Sequence, residues 1–241
     1  MSISPDEIAK IFEDRGGEFL TSPSLISKKL KNIRAILFDW DGVFNDGSKG
    51  GNRQSGFSEV DSMGTNMLRF SQWLFHNKEM PVCGIITGAD NFAAYDFAQR
   101  EHFHKVYFKV SNKIESLNHM NEMLGIKPEE VLYVFDDILD LSIAEKVGLR
   151  VFVHSNSKVL FSEYVRKNNL ADYITAYSGG NHAVRESCEL LMGLNGTYDE
   201  VIKSRGSFSA EYQEYLAERN SPATTLYTLG NNGLIIEHHL A

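Results

Sequence analysis

Short apolar runs alternate with longer amphipathic segments through most of this 241-residue chain. Six runs have the length and composition of buried strands: 33–38, 82–86, 106–108, 131–135, 151–153 and 173–175. Helical periodicity is found between them, near 62–78, 91–102, 112–124, 139–146 and 181–193. This alternation predicts an α/β fold with a Rossmann-like, doubly wound parallel sheet.

Three parts of the chain depart from this alternation. Ser4-Pro5 with Glu7 is typical of a helix start, so 1–30 is predicted to be a helical N-terminal extension of a main domain at 31–194. The remaining 195–241 is predicted to be a C-terminal extension with a β-hairpin at its Asn-Gly turn. The glycine-rich and polar segment 44–60 predicts a β-hairpin flap after the first strand, and no insertion is long enough for a separate cap domain.

Charge and cysteine content limit the possible partners and compartments. A formal net charge of −8 argues against nucleic acid or an acidic membrane surface as the main partner, but it allows a small anionic substrate. Cys83 and Cys188 are the only cysteines and lack the spacing of a metal site, which favours a reducing, cytoplasmic location. The acidic N-terminal segment is unlike a signal peptide, and we expect no membrane span.

Polar residues directly follow four of the predicted strands. In chain order they are Asp39 and Asp41, then Thr87 and Gly88, then Lys113, then Asp136, Asp137 and Asp140. Functional groups of open parallel sheets collect at the carboxyl ends of the strands, so these residues are expected to form one site.

The types of residue in this set favour phosphoryl transfer. Asp39 would be the nucleophile that forms an aspartyl-phosphate, while Asp41 would protonate the leaving oxygen and later activate water. Thr87, Gly88 and Lys113 would bind the phosphoryl oxygens.

Carboxylates this close to one another need a cation, and oxygen ligands beside a phosphate favour Mg²⁺. The predicted metal-binding residues are Asp39, Asp41 through its carbonyl, Asp136, and Asp137 or Asp140 supporting a water molecule.

Each motif by itself has an ordinary structural interpretation. The Asp39-Trp40-Asp41-Gly42 segment could be a simple turn, Lys113 a solvated lysine at a helix start, and Asp136-Asp137 a helix cap. The combination at four successive strand ends favours a catalytic site.

The same residues resemble the motifs of the haloacid dehalogenase (HAD) superfamily: Asp39/Asp41, Thr87, Lys113 and Asp136/Asp137/Asp140. Over about 30–195 the chain is most similar to the capless branch that contains 3-deoxy-D-manno-octulosonate 8-phosphate (KDO 8-phosphate) phosphatase. Further matching residues are Asp46-Gly47, Asp61, Gly64, Gly179-Gly180 and Arg185-Glu186. The resemblance implies a Mg²⁺-dependent phosphatase acting on a sugar phosphate, assembled as a homotetramer in which a neighbouring flap closes each site.

Several positions differ from the usual pattern of this branch. Val60 and Ala89 stand where relatives usually have arginines, so the substrate is left open, and a different nine-carbon sugar acid phosphate is an alternative. Trp40 and Phe135 replace small residues, which leaves a second hypothesis of a catalytically idle oligomeric binding module. A mutase is a weaker alternative because the chain lacks a mobile cap.

Overall fold

The computed structural model describes residues 3–49, 56–230 and 232–239. In this part of the chain nine strands form one sheet, flanked by ten α-helices. The strands are β1 (Glu18–Phe19), β2 (Ala35–Phe38), β3 (Val82–Ile86), β4 (Lys105–Phe108), β5 (Val131–Phe135), β6 (Leu149–His154), β7 (Tyr173–Ser178), β8 (Thr225–Leu229) and β9 (Ile235–Glu237). The helices are α1 (Pro5–Glu13), α2 (Pro23–Leu30), α3 (Glu59–Phe75), α4 (Phe92–Arg100), α5 (Ile114–Leu124), α6 (Leu141–Ala144), α7 (Val159–Lys167), α8 (Ala183–Leu194), α9 (Tyr198–Gly206) and α10 (Ala210–Arg219).

The strand order across the sheet is β1-β7-β6-β5-β2-β3-β4-β8-β9. All neighbouring strands from β7 to β8 run parallel, and the two edge strands β1 and β9 are antiparallel to their neighbours. The chain leaves β2 in one direction towards β3 and later returns on its other side with β5. This confirms the predicted doubly wound α/β fold and makes the end of β2 the switch point where ligands bind in such sheets.

The central strand β2 is apolar because both of its faces are covered. All four of its residues are buried. Ile36 and Phe38 belong to a core shared with α3 and α8, whereas Ala35 and Leu37 belong to a second core shared with α5 and α6. A strand covered on both sides needs apolar residues at every position, which is the pattern that the sequence shows.

The six strands predicted in the main domain correspond to β2–β7, and the C-terminal hairpin is formed by β8 and β9. The sequence did not predict β1, α7, α9 or α10. β1 is only two residues long, and α9 and α10 carry few aliphatic residues, so periodicity marks them weakly. α10 is held instead by the buried aromatic side chains of Tyr212 and Tyr215.

The predicted flap at 44–60 lies partly outside the described residues, which omit 50–55. Its described parts, 44–49 and 56–60, contain no strand, and Glu59 and Val60 already belong to α3. The chain instead turns tightly after Asp41, where the Trp40 carbonyl accepts hydrogen bonds from the backbone amides of Val43 and Phe44 at 3.2 and 3.0 Å.

Both ends of the chain add strands to this sheet. β1 pairs with β7, and β8 pairs with β4 on the opposite side. Within the described residues, every helix is too short or too polar to cross a membrane.

A buried carboxylate connects the N-terminal segment to the sheet. Asp172 is fully buried and accepts hydrogen bonds from Thr21 Oγ1 at 2.7 Å, Lys29 Nζ at 2.6 Å and the Arg150 backbone amide at 2.8 Å. Burial disfavours its charged form, but the hydrogen bonds from Arg150 and Lys29 outweigh this effect and lower the pKa of Asp172. The charged form therefore stabilises the folded chain.

Replacement of Asp172 by Asn should lower the free energy of unfolding at neutral pH by about 3 kcal/mol, because two cations lose their buried partner. A lowered pKa contributes stability above the ordinary value of about 4, and this is lost as the pH falls through the lower folded-state value. The acid-induced loss of stability should therefore be smaller in the variant. Denaturant unfolding between neutral and acidic pH tests this, with exposed Asp96→Asn as the control. Identical pH profiles for Asp172→Asn and the parent would contradict the prediction.

Candidate active site

The polar residues predicted from the sequence lie at the carboxyl ends of neighbouring strands. Asp39, Thr87 and Asp136 directly follow β2, β3 and β5. The strands are in matching register, with Phe38 of β2 opposite Ile85 of β3 and Val134 of β5. Because adjacent strands are about 4.8 Å apart, the residues that follow them meet at one edge of the sheet.

Three carboxylates form the centre of this site. Ligand oxygens of Asp39, Asp136 and Asp140 lie within 4.8 Å of one another, and all three residues are buried. Asp41 and Asp137, which the sequence also suggested as metal ligands, lie outside this group of described residues. We refer to Asp39, Asp136 and Asp140 as the carboxylate cluster.

Lys113 binds two members of the carboxylate cluster. Its Nζ lies 2.6 Å from Asp39 Oδ1 and 2.6 Å from Asp140 Oδ1, and its side chain is 3 % exposed. Asp140 also accepts hydrogen bonds from the Tyr133 hydroxyl and, at 3.1 Å, from the Asp137 backbone amide. These contacts fix the Asp140 carboxylate. Asp140 in turn positions the Lys113 ammonium beside Asp39.

The electrostatics of the cluster favour additional positive charge. Burial raises the pKa of Asp39 well above its usual range, and the charge of Asp140 adds to this effect while Lys113 opposes it. Burial also raises the pKa of Asp136 to about 6, against the lowering effect of Lys158. For Lys113, burial alone disfavours the ammonium, but Asp39 and Asp140 outweigh it and raise its pKa. A bound cation would keep the carboxylates charged at neutral pH.

One basic residue at the cluster was missed by the sequence analysis. Lys158 immediately precedes α7, and its Nζ contacts the carboxylate Oδ2 of Asp136, the Asp136 carbonyl oxygen at 3.0 Å and Asp137 Oδ2 at 3.2 Å. The polar loop around Lys158 follows β6, which pairs with β5. Only the strand order could have indicated this contact.

Lys158 binds only one of the two carboxylate oxygens of Asp136, Oδ2. Asp136 Oδ1 is buried and has no hydrogen-bond partner among the described residues. An unpaired buried carboxylate oxygen is costly. Here it belongs to Asp136, one of three carboxylates that could together hold one ion. These residues fit Mg²⁺, a hard cation that prefers oxygen ligands.

Asp41 lies at the edge of the site and is partly exposed. Its carboxylate contacts Lys49 Nζ, and Asn91 Nδ2 donates to both of its oxygens at 3.3 Å. Neither Lys49 nor Asn91 was predicted from the sequence. A partly exposed carboxylate held by two donors can exchange protons with a substrate or with water.

Thr87 and Gly88 lie in the loop between β3 and α4. Thr87 is buried, its backbone amide donates to the Tyr107 carbonyl at 2.8 Å, and its Oγ1 accepts from the Ala89 amide at 3.3 Å. Gly88 is exposed, and a Cβ at this position would have only the Val110 carbonyl oxygen within 4 Å. The backbone here is open to a ligand.

Glycines allow the loops to close around the cluster. Gly42 has a φ of +88°, and a Cβ at this position would overlap Asp136 Oδ2. A Cβ at Gly179, after β7, would overlap the Gly42 carbonyl oxygen. Asp136 therefore packs directly against the Gly42 backbone.

The two large residues that differ from the family pattern belong to the core. Trp40 is fully buried and stacks on Phe44 with ring centroids 4.8 Å apart. Phe135 is also fully buried and stacks on Tyr133 at 5.9 Å. Both rings therefore support the loops that carry the acids.

Asp61, which also matches the family pattern, supports a helix rather than the cluster. Its Oδ1 accepts a hydrogen bond from the Arg185 backbone amide at 2.9 Å, in the first turn of α8. A carboxylate at a helix N-terminus is favourable because of the exposed amides there.

Comparison with known proteins identifies relatives of the whole site-bearing region. A 3-deoxy-D-manno-octulosonate 8-phosphate phosphatase, KdsC, from Salmonella typhi is 34% identical over 180 residues, which is 73% of this chain and 88% of that protein. The crystal structure of such a phosphatase from Moraxella catarrhalis, in complex with magnesium, phosphate and KDO, is 25% identical, with a TM-score of 0.61 over 76% of this chain and 98% of that chain. No protein-family model matches the chain.

A third relative broadens this grouping. A HAD superfamily (subfamily III A) hydrolase from Legionella pneumophila is 25% identical and has a TM-score of 0.61, covering 83% of this chain and 98% of that chain.

Replacement of Gly42 by Ala should displace Asp136 and weaken Mg²⁺ binding by roughly tenfold or more, because the new methyl group overlaps a carboxylate oxygen. Gly125→Ala is a matched control, since Gly125 also has a positive φ of +61° but has open space around its Cα. Calorimetric Mg²⁺ titration and thermal unfolding separate the two effects. If both variants lose stability but bind Mg²⁺ equally well, Asp136 is not a metal ligand.

Proposed function

Because the chain belongs to the KDO 8-phosphate phosphatase family of the HAD superfamily, we propose that it hydrolyses a phosphorylated sugar acid through an aspartyl-phosphate on Asp39. It is a phosphatase for phosphoric monoesters, and its metal is Mg²⁺. The observation that carries the proposed mechanism is the position of the buried Asp39 carboxylate. It shares the Lys113 ammonium with Asp140, and it lies with Asp136 and Asp140 in a group of carboxylates that could hold one metal ion.

In the first half of the reaction, a carboxylate oxygen of Asp39 attacks the phosphorus atom and the bond from phosphorus to the sugar oxygen breaks. The leaving oxygen takes a proton from Asp41. In the second half, Asp41 accepts a proton from water as that water attacks the phosphorus. The bond to Asp39 breaks, and inorganic phosphate leaves with the nucleophile restored.

The neighbouring residues hold the phosphoryl group during both halves. An ammonium has three N–H donors, and Lys113 uses two of them on Asp39 and Asp140, which leaves one for a phosphoryl oxygen. Thr87 and the open backbone at Gly88 follow β3, which is a direct neighbour of β2. Asp39, the Asp41 carbonyl and Asp136 would hold Mg²⁺, which would supply positive charge for the phosphoryl oxygens.

KDO 8-phosphate is the first candidate substrate because it is the substrate named for the curated relatives. Val60 is 43% exposed at the start of α3, and Ala89 follows the open Gly88 backbone, so neither position offers a charge to a substrate carboxylate. This favours, as a second candidate, the phosphate of a different nine-carbon sugar acid.

Phosphate release in the presence of Mg²⁺ should be fastest with KDO 8-phosphate or a nine-carbon sugar acid phosphate among a panel of sugar phosphates. Asp39→Asn should lower kcat by roughly 10³-fold or more, because the nucleophile is lost. Exposed Asp96→Asn should leave the rate unchanged. Full activity in Asp39→Asn, or no release from any member of the panel, would refute the proposal.

We also propose that a homotetramer covers the site and that the protein works in the cytoplasm. Apolar side chains directly follow the acids and Lys158: Ile138, Leu139, Val159 and Leu160 are 63%, 60%, 65% and 83% exposed. A second copy of the chain would bury these side chains and keep bulk water from the phosphorylated Asp39.

Cys83 and Cys188 are both buried free thiols, which suits a reducing compartment.

Light scattering of the purified protein should give a mass near four times the 27.2 kDa of one chain. Leu160→Asp should shift the protein to smaller species and lower kcat/KM at least about tenfold, because a charge would enter the interface. Leu25→Asp, on the exposed face of α2, is the control. A monomer with full activity would overturn the tetramer proposal without affecting the assigned nucleophile.

A further inference from the structure

Lys158 forms an ion pair with Asp136, one of the predicted metal ligands. Its Nζ contacts Asp136 twice, at the carboxylate Oδ2 and at the carbonyl oxygen, and it also reaches Asp137. The Lys158 side chain is only 22% exposed, and that of Asp136 is 5% exposed. This is a partly buried ion pair inside the site rather than a contact on the surface.

Two lysines balance most of the charge of the carboxylate cluster. Lys113 contacts Asp39 and Asp140, and Lys158 contacts Asp136. Each of the three carboxylates therefore has an ammonium partner before any divalent ion binds. Burying three carboxylates without such partners would strongly destabilise the fold.

Binding of a divalent cation to Asp136 costs free energy while Lys158 is its ion-pair partner. If the ammonium stays, its charge repels the incoming ion at close range in a partly buried site. If it leaves, the protein loses its bonds to the carboxylate and carbonyl oxygens of Asp136 and to Asp137. Both routes weaken metal binding, so the sign of the effect does not depend on which one occurs.

If Lys158 only oriented Asp136, its removal would weaken metal binding, which is the opposite of the effect argued above. The packing argues against this alternative. Asp136 directly follows a buried strand and its carboxylate packs against the Gly42 backbone, which leaves no room for a Cβ. The side chain is therefore held in place without the ammonium.

We infer that Lys158 is an internal competitor of the divalent cation at Asp136, which stabilises the metal-free protein and weakens its affinity for Mg²⁺. The inference rests on the metal site of the proposed function but not on the identity of the substrate. Metal-free protein is then a folded, stable state with its carboxylates already paired. Metal uptake is favoured when a phosphate ester brings further negative charge into the site.

Calorimetric Mg²⁺ titration of the full chain tests this inference. Lys158→Gln should bind Mg²⁺ at least about tenfold more tightly than the parent, since the competing charge is gone. Lys158→Arg keeps the charge and should stay within about threefold of the parent. Lys167→Gln removes an exposed lysine from α7, the helix that Lys158 immediately precedes, and is the control for net charge. Equal or weaker Mg²⁺ binding by Lys158→Gln would overturn the inference.

Thermal unfolding in a chelator gives a second measurement. Lys158→Gln should unfold at a lower temperature than the parent or Lys167→Gln, and added Mg²⁺ should raise its unfolding temperature by more than it raises theirs. If Lys158→Gln does not fold without metal, circular dichroism during Mg²⁺ addition follows its refolding. Refolding below the Mg²⁺ concentration that half-saturates the parent supports the inference, and no refolding overturns it.

These outcomes are distinct from failure of the proposed function. Mg²⁺ affinity that is the same with and without Lys158 would overturn only the competition. Tight metal binding without release of phosphate from any ester would contradict only the proposed reaction.

Discussion

The burial of three carboxylates at one point is the constraint on which the site depends. Like charges this close destabilise a fold unless cations accompany them. The chain provides Lys113 for Asp39 and Asp140, and Lys158 for Asp136, while leaving Asp136 Oδ1 without a partner. The same arrangement that permits burial therefore leaves one carboxylate oxygen of Asp136 for a metal ion.

The sheet brings these groups together from distant parts of the chain. β2 lies between β3 and β5, so the residues that follow all three strands meet where the connections diverge to the two faces. Close loop packing completes the site, since Gly42 touches both Asp136 and the loop at Gly179. Trp40 anchors the same loop in the core. The aromatic residue between the two acids thus helps to support the loop that carries them.

Prediction from sequence succeeded where burial alone decides the pattern. The runs that became β2 to β7 are apolar because both faces of the sheet are covered, and the Asn-Gly turn marked the C-terminal hairpin. It failed where structure depends on a few tertiary contacts. β1 exists through its pairing with β7, and α10 through the burial of two tyrosines against the core.

Local sequence pattern was sufficient to predict the order of β2 to β7 and of most helices between them. It also placed Asp39, Thr87 and Asp136 directly after strands, and Asp41 and Lys113 in the loops that follow β2 and β4. Which of these carboxylates share a lysine ammonium depends on the tertiary structure. Asp140 supports Lys113 through a contact across 27 positions, and Lys158 reaches Asp136 across 22. Such pairings follow from which strands are neighbours and which loops can approach, and those depend on the packing of the whole chain.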